Sequence, residues 1–217
     1  MPVRRPLPPP RPPPPAWGRR PQSTATDAGD AAARVDRAAG PAQAYHSSYN
    51  GGNYRALGNM ALLPIKTRIR GPAPQPEDDK KDDVIDEALY FFKANVFYRN
   101  FEFQGNADRT LCYLILYITE CLQALAKCPT KNDGLKRMNT LALENFTLPG
   151  DPSFAFGGLY HAPANRADAD LLRQYISQLR QELGIRLCDK VYVDGPPSKW
   201  WLCFSKRKFM NKSLSGQ

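Results

Sequence analysis

The residue types that could do chemistry are few and badly spaced for it. The chain has two histidines, His46 and His161, and five cysteines, Cys112, Cys121, Cys128, Cys188 and Cys203. No two cysteines form a Cys-x-x-Cys pair, and the histidines lie far apart, so the spacing does not match a zinc framework. His161 sits in a proline-glycine loop with no Cys or Ser nucleophile nearby and reads as a surface residue. His46, at the edge of a low-complexity tail, reads the same way. The carboxylates from Glu77 to Asp83 read as a solvated run before a helix. No phosphate-cradling, dinucleotide-binding, zinc-protease or nucleophile-elbow motif occurs. The residues point away from an enzyme, and nothing in them calls for a cofactor, a metal or a small-molecule ligand.

One segment is suited to binding. Pro197-Ser198-Lys199-Trp200-Trp201-Leu202-Cys203-Phe204 runs into Ser205-Lys206-Arg207-Lys208-Phe209, with no acidic residue after Asp194. Neighbouring side chains on a helix lie about 100° apart, so Trp200 and Trp201 cannot both face one core stripe. At least one is expected to be structural, and the other is left for a partner; tryptophan and arginine often anchor protein contacts. Lys206, Arg207 and Lys208 are expected in the last turn of that helix, where cations complement its dipole. Trp200, Trp201, Lys206, Arg207, Lys208 and Phe209 are the candidate interface residues. Tyr90, Phe91, Phe97 and Tyr98 flank the core stripe of an earlier helix and read as core, or as one wall of a groove.

These residues need elements to position them, and the elements are helical. Asp82 or Asp83 caps a helix in which Ile85, Ala88, Leu89, Phe92 and Val96 keep the 3.6-residue period. Asn106 is expected to cap the next, where Leu111, Leu114, Ile115, Ile118, Leu122 and Leu125 form one stripe. Tyr113, Leu116 and Tyr117 make its other side apolar too. A helix apolar nearly all round is enclosed by its neighbours. Gly134 to Asn145 is a weaker helix. Asn165 with Asp168 resembles a capping box before Leu172, Tyr175, Ile176, Leu179 and Leu183. Gly184 suits a left-handed helix end, although Ile185 to Val191 could continue after a kink. Ser198 caps the last helix. The fold class is all-α, about five helices with one central helix surrounded by the others. Met60 to Ile65 is expected to lie along the surface as a strap, and no alternating run is long enough for a sheet.

Composition divides the chain. Ten of the 21 prolines lie in the first 21 residues. Residues 1–43, with seven Lys/Arg against three Asp, net +4, are expected to form a disordered proline/arginine-rich extension; residues 44–217, with 23 Lys/Arg against 18 Asp/Glu, net +5, are expected to form a single helical domain. The tract from Pro6 to Pro15 holds formal PxxP matches beside Arg4, Arg5 and Arg11. The alternative function they raise is an adaptor that binds profilin or SH3 domains. Nucleic-acid binders concentrate basic charge on one face; the only such cluster, Lys199 to Lys212, is short, and nucleic acid is not expected as a partner. The most apolar run, Leu111 to Ile118, falls far short of the ~20 residues of a membrane helix. An odd number of cysteines in apolar stretches, with no signal peptide, reads as reduced thiols in the cytoplasm.

Longer blocks carry a family resemblance. Gly58-Asn59-Met60-Ala61-Leu62-Leu63-Pro64-Ile65, Phe92-Lys93-Ala94-Asn95-Val96-Phe97, Ala107-Asp108-Arg109-Thr110-Leu111, Arg186-Leu187-Cys188 and Pro197-Ser198-Lys199-Trp200-Trp201 resemble the family of the 21-kDa subunit 3 of the actin-related protein 2/3 complex. So do Lys206-Arg207 and Phe209-Met210-Asn211-Lys212-Ser213-Leu214-Ser215-Gly216. The resemblance covers about Ala44 to Gln217. It departs in residues 1–43 and in the loops Tyr49 to Arg55 and Tyr192 to Gly195. It implies an all-helical, non-catalytic subunit of a seven-subunit actin nucleator. It further implies attachment to the actin-related protein 3 subunit near the mother filament, and a place in branched actin networks and cell projections. The nucleator's ATP belongs to its actin-related subunits.

Overall fold

In the computed structural model, residues 44–78, 80–193 and 195–214 are described. The chain divides into two units, Met1–Pro41 and Ala42–Gln217. The first lies outside the described residues, and with it the proline tract and its PxxP matches.

The second unit is mostly helical. Five helices follow in order: α1 Val84–Asn95, α2 Asn106–Leu125, α3 Lys131–Leu143, α4 Arg166–Val191 and α5 Lys199–Leu202. Before them come a 3₁₀ turn, Ser48–Gly51, and a two-stranded antiparallel hairpin, β1 Ala56–Leu57 with β2 Met60–Ala61. A second 3₁₀ turn, Phe209–Asn211, comes near the end. Each long helix except α2 starts on a side-chain cap. Asp83 accepts from the backbone of Ile85 and Asp86 while Asp86 returns a bond to Asp83, a full capping box. Thr130 caps α3 through the backbone N–H of Asp133. Asn165 caps α4 through Asp168 at 2.8 Å, but the Asp168 carboxylate meets the Asn165 amide rather than closing the box on the backbone. At α2 Gly105 occupies the cap position, and Asn106 is already helical.

The apolar helix is the centre, as its pattern requires. Every residue from Thr110 to Thr119 is buried in α2. It packs against α1, α3, α4, α5 and β2. Gly184 does not end α4, which runs unbroken to Val191. A methyl group at Gly184 would stand 3.0 Å from the Cβ of Met138. The glycine therefore lets α3 and α4 approach closely, and its penalty of about 1 kcal/mol in a helix interior is too small to break a helix so well packed.

The strap is embedded rather than superficial. Met60, Leu63 and Ile65 are completely buried. Extended backbone can be buried only if its polar groups find partners, and side chains supply them. Tyr175 Oη accepts from Leu63 N at 2.8 Å and donates to Leu63 O at 3.1 Å. Gln178 accepts from Ala73 N and donates to Ile69 O. Thr110 donates to Ala61 O at 2.8 Å. Upstream, Asn95 bonds both the N–H and the carbonyl of Tyr45.

Two buried carboxylates were unexpected. Asp83 is not solvated with the rest of its run: it is 1% exposed and paired with Arg186 of α4. His46 is not a free surface residue: its Nδ1 lies 2.8 Å from the fully buried Asp108. Burial pushes the Asp86 carboxyl up, but the hydrogen bond from Lys66 and the charge of Arg186 outweigh it and hold it below the usual carboxylate range. A lowered folded-state value contributes stability that is present above the unfolded value of about 3.9 and lost as pH falls through the folded one. The urea midpoint of Asp86→Asn should therefore fall short of the parent at about pH 6 and converge with it in acid. A gap that stays constant with pH would show that the carboxylate charge contributes nothing.

A candidate protein-docking face

Helix α1 turns Val84, Ile85, Ala88, Leu89 and Phe92 inward. Its outward stripe is Tyr90, Lys93 and Ala94, continued by Phe97 in the turn just beyond its end, all exposed. Tyr90 is 75% and Phe97 55% exposed. Such residues on an outer stripe call for explanation, because an exposed aromatic patch marks an interaction surface more often than an isolated apolar side chain does.

The C-terminal segment extends this face. The two tryptophans of α5 part company: Trp201 is 9% exposed and Trp200 81%. Trp201 stacks on Phe92 at 6.1 Å between ring centroids, with Lys93 Nζ 4.4 Å from its own ring. Phe204 links the layers, edge-on to both Phe92 and Phe97 at 5.9 Å. The Arg207 guanidinium lies 5.2 Å from the Phe97 ring centre, in cation–π range. On the other flank Phe91 stacks on Tyr45 at 4.9 Å and meets the edge of Tyr90. Lys93, Phe97, Trp201, Phe204 and Arg207 thus border one aromatic-basic face, and Trp200, next in the chain to Trp201, is exposed.

The rest of the segment departs from expectation. Helix α5 ends at Leu202, so Lys206, Arg207 and Lys208 are not in a last helical turn; all three are exposed. Phe209 is fully buried, edge-on to Phe101 at 5.6 Å, and belongs to the core rather than to a docking face. The chain plugs it in by bending through Met210 at φ 51° and Asn211 at φ 55°, a left-handed turn that side chains other than glycine adopt at a cost. Met210 N donates to Tyr98 O at 2.8 Å and helps to hold that turn. No local pattern in the sequence marks the bend.

The chemistry of the rest of the surface is spare. Burial pushes the thiols of Cys112, Cys121 and Cys188 well above their ordinary range, which suppresses the thiolate a nucleophile needs. Among the described residues no group of three or more His, Cys, Asp or Glu is placed to hold a metal. None of the described helices is long and apolar enough to cross a membrane.

Comparison with known proteins gives the family. Residues 42–214 match the family described as P21-Arc, the ARP2/3 complex ARPC3 (21 kDa) subunit. The actin-related protein 2/3 complex subunit 3 of Dictyostelium discoideum is 52% identical over 174 residues, 78% of this chain and 99% of that protein. The probable subunit 3 of Caenorhabditis elegans is 49% identical over 180 residues, 80% and 97% of the two chains. Subunit 3 of Schizosaccharomyces pombe is 48% identical over 174 residues, 79% and 99%. A match this long, over a single helical core, leaves one assignment: the chain belongs to the family of the 21-kDa subunit 3 of the actin-related protein 2/3 complex.

Proposed function

We propose that this chain is a non-catalytic structural subunit of an actin-related protein 2/3 complex. In this reading it supports the nucleation of branched filaments in the cytoplasmic actin cytoskeleton, including networks in cell projections. It attaches to the actin-related protein 3 subunit near the mother filament, and the face bearing Trp200, Phe97 and Arg207 makes the contact. Nucleotide chemistry belongs to its partners. The observation that carries the reading is family membership across 42–214. The aromatic-basic face supports the docking role, because buried aromatics and arginines supply most of the energy of protein contacts.

The test is recovery of the complex with tagged chain. The parent should bring down actin-related subunits in fixed stoichiometry, and a chain recovered alone would overturn the proposal. Removal of residues 1–43 should leave recovery unchanged; loss of partners would favour an adaptor acting through its proline tract. Within the face, Trp200→Ala should leave stability within about 0.5 kcal/mol of the parent and weaken assembly by about tenfold or more. Trp201→Ala should do the reverse and lower the melting temperature first, since its ring packs on Phe92. Unchanged assembly in Trp200→Ala would remove Trp200 from the interface.

A further inference from the structure

A groove is lined by none of the residues of the face just described. It opens where the Ser48–Gly51 turn and Tyr54 face the loop leading to α1, and it holds about 300 Å3. Tyr49, Tyr54 and Pro74 supply apolar surface; Glu77, Asp78 and Asp82 supply carboxylates, with Lys81 the one lysine among the lining residues. The two rings stand edge-on, 5.6 Å between centroids and 64° between planes, which leaves an angular slot rather than a flat patch. Tyr49 is held there by its hydroxyl, which donates to Asp82 O at 2.8 Å. Tyr54 lies against Gly52 so closely that a Cβ there would stand 2.3 Å from its ring.

Angled aromatic rings beside carboxylates suit one ligand shape in particular. A polyproline II strand has three residues per turn and no internal hydrogen bonds, so it offers ridges of proline rings and free carbonyls to an aromatic groove. A carboxylate rim favours a strand that also carries arginine, which can bind a carboxylate through two parallel bonds. We propose that the groove bounded by Tyr49, Tyr54, Glu77 and Asp78 binds a proline-rich, arginine-bearing segment of a partner protein in polyproline II form. The described residues that line the groove lie within 42–214, the part matched to the family. Charge complementarity sets the ligand: among the described lining residues, three carboxylates against one lysine select a basic strand over an acidic one. The proposal is independent of the assembly reading and is tested on the chain without any complex.

The experiment is a fluorescence anisotropy titration of the full chain with a short labelled peptide of PxxP pattern carrying one flanking arginine. Saturable binding is expected, weakened about tenfold by Tyr54→Ala. A comparable loss is expected from the paired charge reversal Glu77→Lys and Asp78→Lys, at exposed positions that leave the fold intact. Tyr54→Phe should retain most of the affinity, and a peptide with glutamate in place of arginine should not bind. Absence of saturable binding would overturn the proposal, as would binding indifferent to both the aromatic and the charge variants. Binding that appears only after residues 1–41 are removed would overturn the partner assignment and give the groove to the chain's own proline tract.

Discussion

Arg186→Ala is expected to destabilise the domain by about 3–5 kcal/mol, the usual result of leaving a buried carboxylate without its counter-ion. Arg186 uses all five of its N–H donors. Nη1 donates to Asp83 at 2.8 Å and Asp86 at 3.0 Å, Nη2 to Asp83 at 2.8 Å and to Lys66 O, and Nε to Glu182 at 2.8 Å. One side chain thus joins the strap, the start of α1 and the middle of α4. Arg186→Lys should recover little, because an ammonium cannot reproduce the planar fork. Asp83→Asn in the Arg186→Ala background should cost less than Asp83→Asn alone, since the charge it removes is already unpaired. Urea unfolding of the four proteins measures the coupling. Additive losses, or a loss below about 1 kcal/mol for Arg186→Ala, would show that water screens the network.

The second large effect is expected at Asp108, where substitution to Ala should cost at least about 3 kcal/mol and release the segment around Ser47 and Asn50, upstream of the strap. Its carboxylate is fully buried. One oxygen accepts from Ser47 N and the Asn50 amide, both at 2.8 Å; the other accepts from Gln104 N at 2.9 Å and faces His46 Nδ1. Each donor left buried without an acceptor costs about 1–3 kcal/mol. Asp108→Asn should not rescue, because its amide would turn donors toward donors on one side. The neighbouring bonds of Glu87 to Ser47 Oγ and Ser48 N, both 2.7 Å, would hold that segment only in part. Limited proteolysis should therefore cut between Tyr45 and Arg55 earlier in Asp108→Ala than in the parent. A variant that loses stability with no new cleavage there would place the damage in α2 instead.

These predictions concern residues that sequence reading placed least well, and the reason is distance along the chain. Arg186 and Asp83 are 103 residues apart, and His46 and Asp108 are 62 apart. A charged residue in an acidic run or beside a tail carries no local sign of being buried, since its partner comes from another element. Phe209 was misplaced for the same reason: its neighbours Lys208 and Met210 suggest an exposed basic end, whereas a left-handed turn at Met210 and Asn211 drives it inward. The strap was recognised as extended but placed on the outside. Its burial rests on partners distant in sequence, among them the side chains of Tyr175 and Thr110.

What lay within one or two helical turns could be read directly. The period of Leu111 to Leu125 demanded an enclosed helix, and α2 is enclosed. The 100° between adjacent helical residues required Trp200 and Trp201 to diverge, and one is buried while the other is not. The cap at Asn165 followed from residue type alone, and that at Asp83 was one of two candidates with Asp82, because a cap bonds to backbone two or three residues away. Which tryptophan faces outward, which carboxylates go dry and what the strap touches are set by contacts between elements. Those depend on how whole helices pack, and packing is a property of the assembled core rather than of any segment within it.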